Sequence, residues 1–292
     1  MDRTTLLGRI RQIEVRSRKR LTSKMLGNFQ SISRGRGLIF DTVRPYEMGD
    51  NVRDVDWNVT ARTGELHVKQ YVEDRQHQVM LLVDVSQSMG INTTIHSRTD
   101  AVAEVAATIA WSVIANKDAV GLITFAEHTV EVVRPANHQI QLDYLLKHLL
   151  NTDVPNPSAK TSLEGALNTF VRLITTPSFI FILSDFQFDL ADSHDLLRYL
   201  ARFHDIVAIQ FADPLELHPI PKTAIVQVKD SESGSNRLID TSNPIFRRQP
   251  TTVSAQAFCK SLGIDWLTLS LHEDYINQFL KFIQIRSERA QK

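Results

Sequence analysis

Val79-Met80-Leu81-Leu82-Val83 is an unbroken apolar run that ends in Asp84-Val85-Ser86-Gln87-Ser88. A carboxylate and two small hydroxyls released together where a buried strand stops are hard oxygen donors of short reach, suited to a small divalent cation. A second run, 179–184, is followed by Asp185, and Thr161 stands just ahead of an amphipathic stretch. In an open parallel sheet the ligand site lies beyond the carboxyl ends of the strands, so these three segments are expected to meet there. Asp84, Ser86, Ser88, Thr161 and Asp185 then offer two carboxylates and three hydroxyls. With waters, that set completes the octahedral oxygen shell of Mg²⁺ or Mn²⁺ and holds no soft ligand for zinc or copper. Two formal negative charges leave such an ion positive toward solvent, open to a carboxylate from another protein. A competing role exists at one position: Thr161 with Glu164 fits a helix capping box, so Thr161 or Ser162 is expected to cap a helix.

The elements that must position these groups follow from hydrophobic period. Buried-strand runs occur at 79–84, 119–125, 179–184, 206–211 and 264–269, with a polar-alternating strand at 129–134. Helical stripes lie between them: Val102, Val105, Ala106, Ile109 and Val113; Leu142, Leu145, Leu146 and Leu149; Leu163, Ala166, Leu167, Phe170, Val171 and Ile174; and Leu196, Leu197 and Leu200. Two more helices are expected at 251–262, ended by Gly263, and at 275–288. Strands alternating with amphipathic helices of this length predict an α/β fold, a doubly wound and mostly parallel sheet with helices on both faces. A proline-rich loop at 213–222 and a hairpin of 224–228 with 237–240 interrupt the alternation as an insertion at 223–241. The expected division is 1–77, a basic N-terminal helix with a small β-rich subdomain, and 78–292, the sheet domain.

Residues 38–77 are irregular. β-leaning pieces at 38–43, 57–60 and 66–72 surround turns at Arg44-Pro45-Tyr46 and Met48-Gly49-Asp50, and 51–57 has room for one helical turn. Arg44, Arg53 and Arg62 are interleaved with Asp41, Asp50, Asp54 and Asp56, beside Trp57. The arginines argue against a metal site there and predict a structural network of Arg–carboxylate pairs.

Composition narrows the class. At 42% hydrophobic and 23% charged the chain can bury an ordinary core, and a single cysteine, Cys259, excludes an internal disulfide framework and a multi-cysteine zinc site. No apolar run approaches the roughly 20 residues that span a bilayer, and the first residues lack the apolar stretch of a secretory signal, so a cytoplasmic protein is expected. Net charge is zero but uneven: residues 1–36 hold ten Lys/Arg against two Asp/Glu. The segment 4–24, with Leu6, Ile10 and Ile13 in helical rhythm, reads as a basic amphipathic helix.

The metal-site residues, in type, order and approximate spacing, resemble the metal-ion-dependent adhesion site of von Willebrand factor A domains. Upstream, Arg34-Gly35-Arg36-Gly37 and the string Val43-Arg44-Pro45-Tyr46-Glu47-Met48-Gly49-Asp50, continuing through Arg53 to Asp56-Trp57, resemble the bacterial family catalogued as domain of unknown function fifty-eight, which couples such a segment to an A domain. The likeness spans roughly residues 1–270. Ile39 stands where that family usually has Glu, Asn51 where it has a second Asp, and Phe186 where A domains commonly have Gly. The resemblance implies a metal-assisted protein-binding module, with Ser86, Ser88 and Thr161 as hydroxyl ligands and Asp84 and Asp185 as carboxylate ligands, direct or through water. It also implies a partner, an AAA+ ATPase of the MoxR type, in maturing or remodelling other proteins or complexes.

Two other classes are weaker. An Mg²⁺-dependent, phosphatase-like hydrolase with Asp84 as nucleophile needs an acid two residues on, and Ser86 stands there. No Walker lysine, Gly-x-Ser-x-Gly or His-Glu-x-x-His motif occurs, so no enzyme is expected. Nucleic-acid or anionic-surface binding through the basic arm lacks interleaved aromatics, Phe29 being the only one before residue 40.

Overall fold

The apolar runs assemble into one six-stranded sheet. A computed structural model describes residues 38–73, 77–90, 97–150, 161–212, 225–229, 236–240 and 251–290. In chain order its strands are β1 (Leu38–Pro45), β2 (His67–Glu73), β3 (Gln78–Asp84), β4 (Ala119–Phe125), β5 (Thr129–Ala136), β6 (Phe179–Ser184), β7 (Asp205–Ala212), β8 (Ile225–Lys229), β9 (Asn236–Asp240) and β10 (Asp265–Ser270). The helices are α1 (Trp57–Thr63), α2 (Arg98–Ala115), α3 (Ile140–Leu150), α4 (Leu163–Leu173), α5 (His194–Leu200), α6 (Thr251–Ser261) and α7 (Tyr275–Ala290).

The large sheet runs β10-β7-β6-β3-β4-β5, parallel throughout except for β5, which returns antiparallel beside β4. This is the doubly wound, mostly parallel architecture that the alternation of periods predicts. Both faces are buried, and the period of two along each strand sorts the side chains. Val79, Leu81 and Val83 face α2, α3 and α7, whereas Met80 and Leu82 face α4, α5 and α6. From β3 the chain adds β4 and β5 on one side and β6, β7 and β10 on the other. The strand order therefore reverses at β3, and the end of β3 opens on the switch-point crevice.

β1 and β2 form a separate antiparallel pair from Leu38 opposite Glu73 to Pro45 opposite His67. Between them, residues 57–60 are helical, correcting the strand expected there. Asp56 accepts hydrogen bonds from the backbone N–H of Asn58 and Val59, and Gly64 closes α1 at φ 78°. A carboxylate N-cap and a left-handed glycine at the other end outweigh the β-leaning side chains of Trp57, Val59 and Thr60. β8 and β9 pair antiparallel, as the hairpin expectation requires. The expected N-terminal helix, the 31–37 loop and the 213–222 loop lie outside the described residues. Among the described residues no helix is long and apolar enough to cross a membrane.

Candidate metal centre at the carboxyl edge

Asp84 closes β3 and is 2% exposed. Its Oδ1 accepts the backbone N–H of Ser86 at 2.9 Å, and its Oδ2 accepts the Ser184 hydroxyl at 2.6 Å. The first bond tightens the turn that swings Ser86 and Ser88 to the same side. Their hydroxyl oxygens lie 3.0 Å apart. Burial pushes the Asp84 carboxyl up to about 6, and the neighbouring charge of Asp185 adds to the rise, against the bonds from Ser184 and Ser86. Two carboxylates at one buried edge thus raise the cost of ionising Asp84, a cost that a cation between them would lower.

β6 delivers the second carboxylate. Leu183 is in register with Val83, so Ser184 and Asp185 leave the sheet beside Asp84 and Val85. The Ser184 hydroxyl, besides donating to Asp84, accepts the backbone N–H of Phe186 at 2.9 Å and so couples the two ligand loops. Asp185 is fully buried; its Oδ1 accepts the N–H of Gln187 at 3.0 Å and its Oδ2 accepts an N–H of Arg98 at 2.9 Å. Phe186 adopts φ 54°, the left-handed conformation that glycine takes without penalty. Its ring is buried and packs on Phe188 and Trp266, with centroids at 6.1 and 4.6 Å. Aromatic packing therefore offsets a backbone cost of about 1 kcal/mol, which explains how Phe serves where A domains commonly have Gly.

Thr161 arrives from the far side of β3. Asp84 is in register with Phe125 at the end of β4, and the N–H of Ser162 donates to the carbonyl of Ala126 at 2.7 Å. That bond brings the start of α4 to the carboxyl edge. Neither expected cap forms: Ser162 is the N-cap residue by backbone conformation but makes no side-chain cap bond, and α4 begins at Leu163, which puts Glu164 out of the capping-box position. Among the described residues no hydrogen bond is made by the Thr161 hydroxyl.

Asp84, Ser86, Ser88, Asp185 and Thr161 therefore issue from three loops at one end of the sheet. Among the described residues no three His, Cys, Asp or Glu side chains group to hold a metal; what the edge offers is two carboxylates with hydroxyls. That donor set fits a hard divalent ion. Adjacent oxygens of an octahedral shell at about 2.1 Å lie about 3.0 Å apart, the spacing of the two serine hydroxyls.

The family assignment rests on sequence. The description "Protein of unknown function DUF58" matches residues 42–257. The chain belongs to that family. This agrees with the resemblance carried by the stretch from Arg44 to Trp57. Uncharacterized protein Rv1480 of Mycobacterium tuberculosis is 26% identical over 299 residues, 99% of this DUF58 chain and 92% of that protein. Among solved structures, the conserved hypothetical protein BatB of Bacteroides thetaiotaomicron is 15% identical with a TM-score of 0.51, covering 74% of this chain and 100% of that one. The likeness to BatB is one of fold. A von Willebrand factor type A structure from Catenulispora acidiphila is 11% identical with a TM-score of 0.43, over 74% of this chain and 43% of that chain.

The residues expected to form a structural network separate into different roles. Arg44 and Asp50 make a two-pronged pair at 2.7 and 2.8 Å, and the hydrogen bond from Arg44 holds the Asp50 carboxyl below its usual range. Asp56 caps α1. Trp57 is 64% exposed on that helix. Arg62 is exposed in the last turn of α1 and pairs with no carboxylate among the described residues, and the Arg53 side chain lies outside them. Two residues at the metal edge were not singled out from sequence. Ser184 is legible in retrospect, because it ends β6 in step with Asp84. Arg98 is not, since an arginine opening a helix after Ser97 reads as a solvated surface residue.

Proposed function

We propose that this protein is a non-catalytic, metal-dependent protein-binding module. What supports the proposal is that Asp84, with Ser86 and Ser88 in the loop after it, and Asp185 leave neighbouring strand ends at the switch point while Thr161 enters α4 beside the end of β4, residues that together would form an oxygen-only donor set suited to Mg²⁺ or Mn²⁺. The bound ion supplies a Lewis-acidic position that a partner's carboxylate fills. Ser86, bonded to Ser88, supports binding over hydrolysis, because a phosphatase built on Asp84 needs an acid at that position. The proposed partner is an AAA+ ATPase of the MoxR type, with the pair acting in the cytoplasm on the maturation of another protein or complex.

The direct test is thermal unfolding with Mg²⁺, Mn²⁺ or EDTA. Ligand that binds only the folded state raises stability by about 2.7 kcal/mol at a hundredfold excess over Kd. Wild type gains stability with either metal, and Asp84→Ala and Asp185→Ala gain none. Melting indifferent to metal and chelator in wild type would sink the reading. Metal-dependent binding of a purified MoxR-type ATPase, lost in Asp84→Ala, tests the partner separately.

A further inference from the structure

The Arg98 side chain is only 3% exposed and forms an ion pair with the fully buried Asp185, whose second oxygen is held by the Gln187 N–H. The same guanidinium nitrogen, Nη1, donates to Asp185 Oδ2 at 2.9 Å and to the Ser88 carbonyl at 3.1 Å. One fixed cation thus bridges the two ligand loops of the proposed metal site. An arginine at the first position of a helix would ordinarily reach solvent; here it is turned inward onto a ligand.

We infer that Arg98 is a built-in counter-ion of the metal site, a positioning residue that lowers the affinity for the divalent ion and keeps the loaded site positive. The inference rests on the metal reading of the carboxyl edge given above. Asp84 and Asp185 carry two negative charges and Arg98 one positive charge. With a divalent ion added, the four groups sum to one positive charge; without Arg98 they sum to zero. The first arrangement draws an anionic partner group more strongly. Arg98 also occupies a lone pair of Asp185, so this carboxylate meets the ion through its remaining lone pairs or through water. The arrangement exchanges metal affinity for partner affinity, so that ion and partner carboxylate bind best together.

The test is titration of Mn²⁺ into the metal-free full-length protein, followed by the loss of the free-ion paramagnetic resonance signal. The set comprises wild type, Arg98→Met, Arg98→Lys and Asp84→Ala. Arg98→Met is expected to bind Mn²⁺ about tenfold more tightly than wild type, because a unit positive charge beside a divalent ion is removed. Arg98→Lys, which keeps the charge, stays within about threefold of wild type. A merely structural arginine predicts the opposite sign, weaker binding in Arg98→Met. Unchanged or weaker binding in a cooperatively folded Arg98→Met overturns the inference while leaving the metal site standing. If neither wild type nor Arg98→Met binds Mn²⁺, the site reading and the inference fall together. Should Arg98→Met fail to fold, the Arg98 guanidinium NMR signal of wild type, assigned by its loss in Arg98→Lys, decides. Saturable displacement of that signal with Mg²⁺ supports the inference, and a signal indifferent to Mg²⁺ overturns it.

Discussion

Replacing Asp84 with Asn isolates the cost of holding a charge at the end of β3. Asp84 is 2% exposed, and its carboxyl is pushed from 3.8 up to about 6, mainly by burial and then by the charge of Asp185. Because the folded-state value lies above the unfolded one, the folded protein keeps a proton that the unfolded chain releases between about pH 4 and pH 6. The associated stability is fully present below about pH 4 and is lost as pH rises through about 6. A rise of about two units corresponds to about 3 kcal/mol at neutral pH. Asn keeps the size and the acceptor for the Ser86 N–H, and its amide can donate to the Ser184 hydroxyl, so the charge is the main change. Urea denaturation of both proteins in EDTA, from pH 4.5 to 8, gives the difference directly, and groups common to both, such as His204, cancel. Asp84→Asn should gain on wild type as pH rises, ending at pH 8 about 2 kcal/mol further ahead than at pH 4.5. Saturating Mg²⁺ should then raise wild type alone and narrow the gap. Parallel stability curves for the two proteins across the whole pH range would refute the argument, since the buried charge would then carry no penalty for metal to relieve.

Other consequences follow from particular contacts. Ser184→Ala removes a 2.6 Å charge-assisted bond to a buried carboxylate and should cost about 1.5–3 kcal/mol in urea denaturation, with weakened Mn²⁺ binding; a stable variant with intact metal affinity would deny Ser184 its positioning role. At Gly121 a Cβ would stand 2.6 Å from Met80 Sδ, 2.8 Å from the Val133 carbonyl and 2.9 Å from Pro135 N, so Gly121→Ala should lose at least about 1–3 kcal/mol by the same assay. Phe186→Gly relaxes a left-handed backbone but empties a fully buried ring position, and a net loss of about 2–4 kcal/mol is expected; a gain in stability would show that the backbone strain dominates. Burial pushes the Cys259 thiol up to about 12, so a thiol-reactive dye should label it only as fast as the protein unfolds.

What the sequence discloses depends on whether a feature is periodic or geometric. The runs at 79–83 and 179–183 are apolar at every position, and 119–125 departs from that only at Gly121 and Thr124, a pattern that fits strands buried on both faces. Once those strands are parallel neighbours, the places of Asp84, Ser86, Ser88 and Asp185 follow from strand ends alone. Thr161 follows less directly, through a backbone bond from Ser162 to Ala126 that no spacing rule anticipates. Residues 57–60 mislead because Trp, Val and Thr favour strands, while the deciding groups, the Asp56 cap and Gly64, lie just outside the segment. Arg98 is invisible for a different reason. Its meaning comes from a partner far along the chain, and nothing local distinguishes a buried arginine from a solvated one.

The parity of the strands also explains why the two carboxylates differ. Asp84 continues the side of β3 that carries Met80 and Leu82, and its partners among the described residues are Ser86 and Ser184, both uncharged. Asp185, one residue past Ser184, falls on the opposite side, where Val83 and Leu183 face α2 and where Arg98 opens that helix. An ion at this edge would therefore be approached from the two faces of the sheet by two unlike ligands. One carboxylate is strained toward protonation and gains most from a cation; the other is already compensated by a fixed positive charge. Removing either acid abolishes the metal response, but the metal-free proteins should diverge. Asp84→Asn relieves an unfavourable charge and stabilises, whereas Asp185→Asn removes the carboxylate charge that pairs with the buried Arg98 and should cost about 3–5 kcal/mol, the expectation for breaking a buried pair by removing one partner. Urea denaturation in EDTA compares the two directly. Equal effects of the two substitutions would mean that the sheet does not divide the carboxylates in this way.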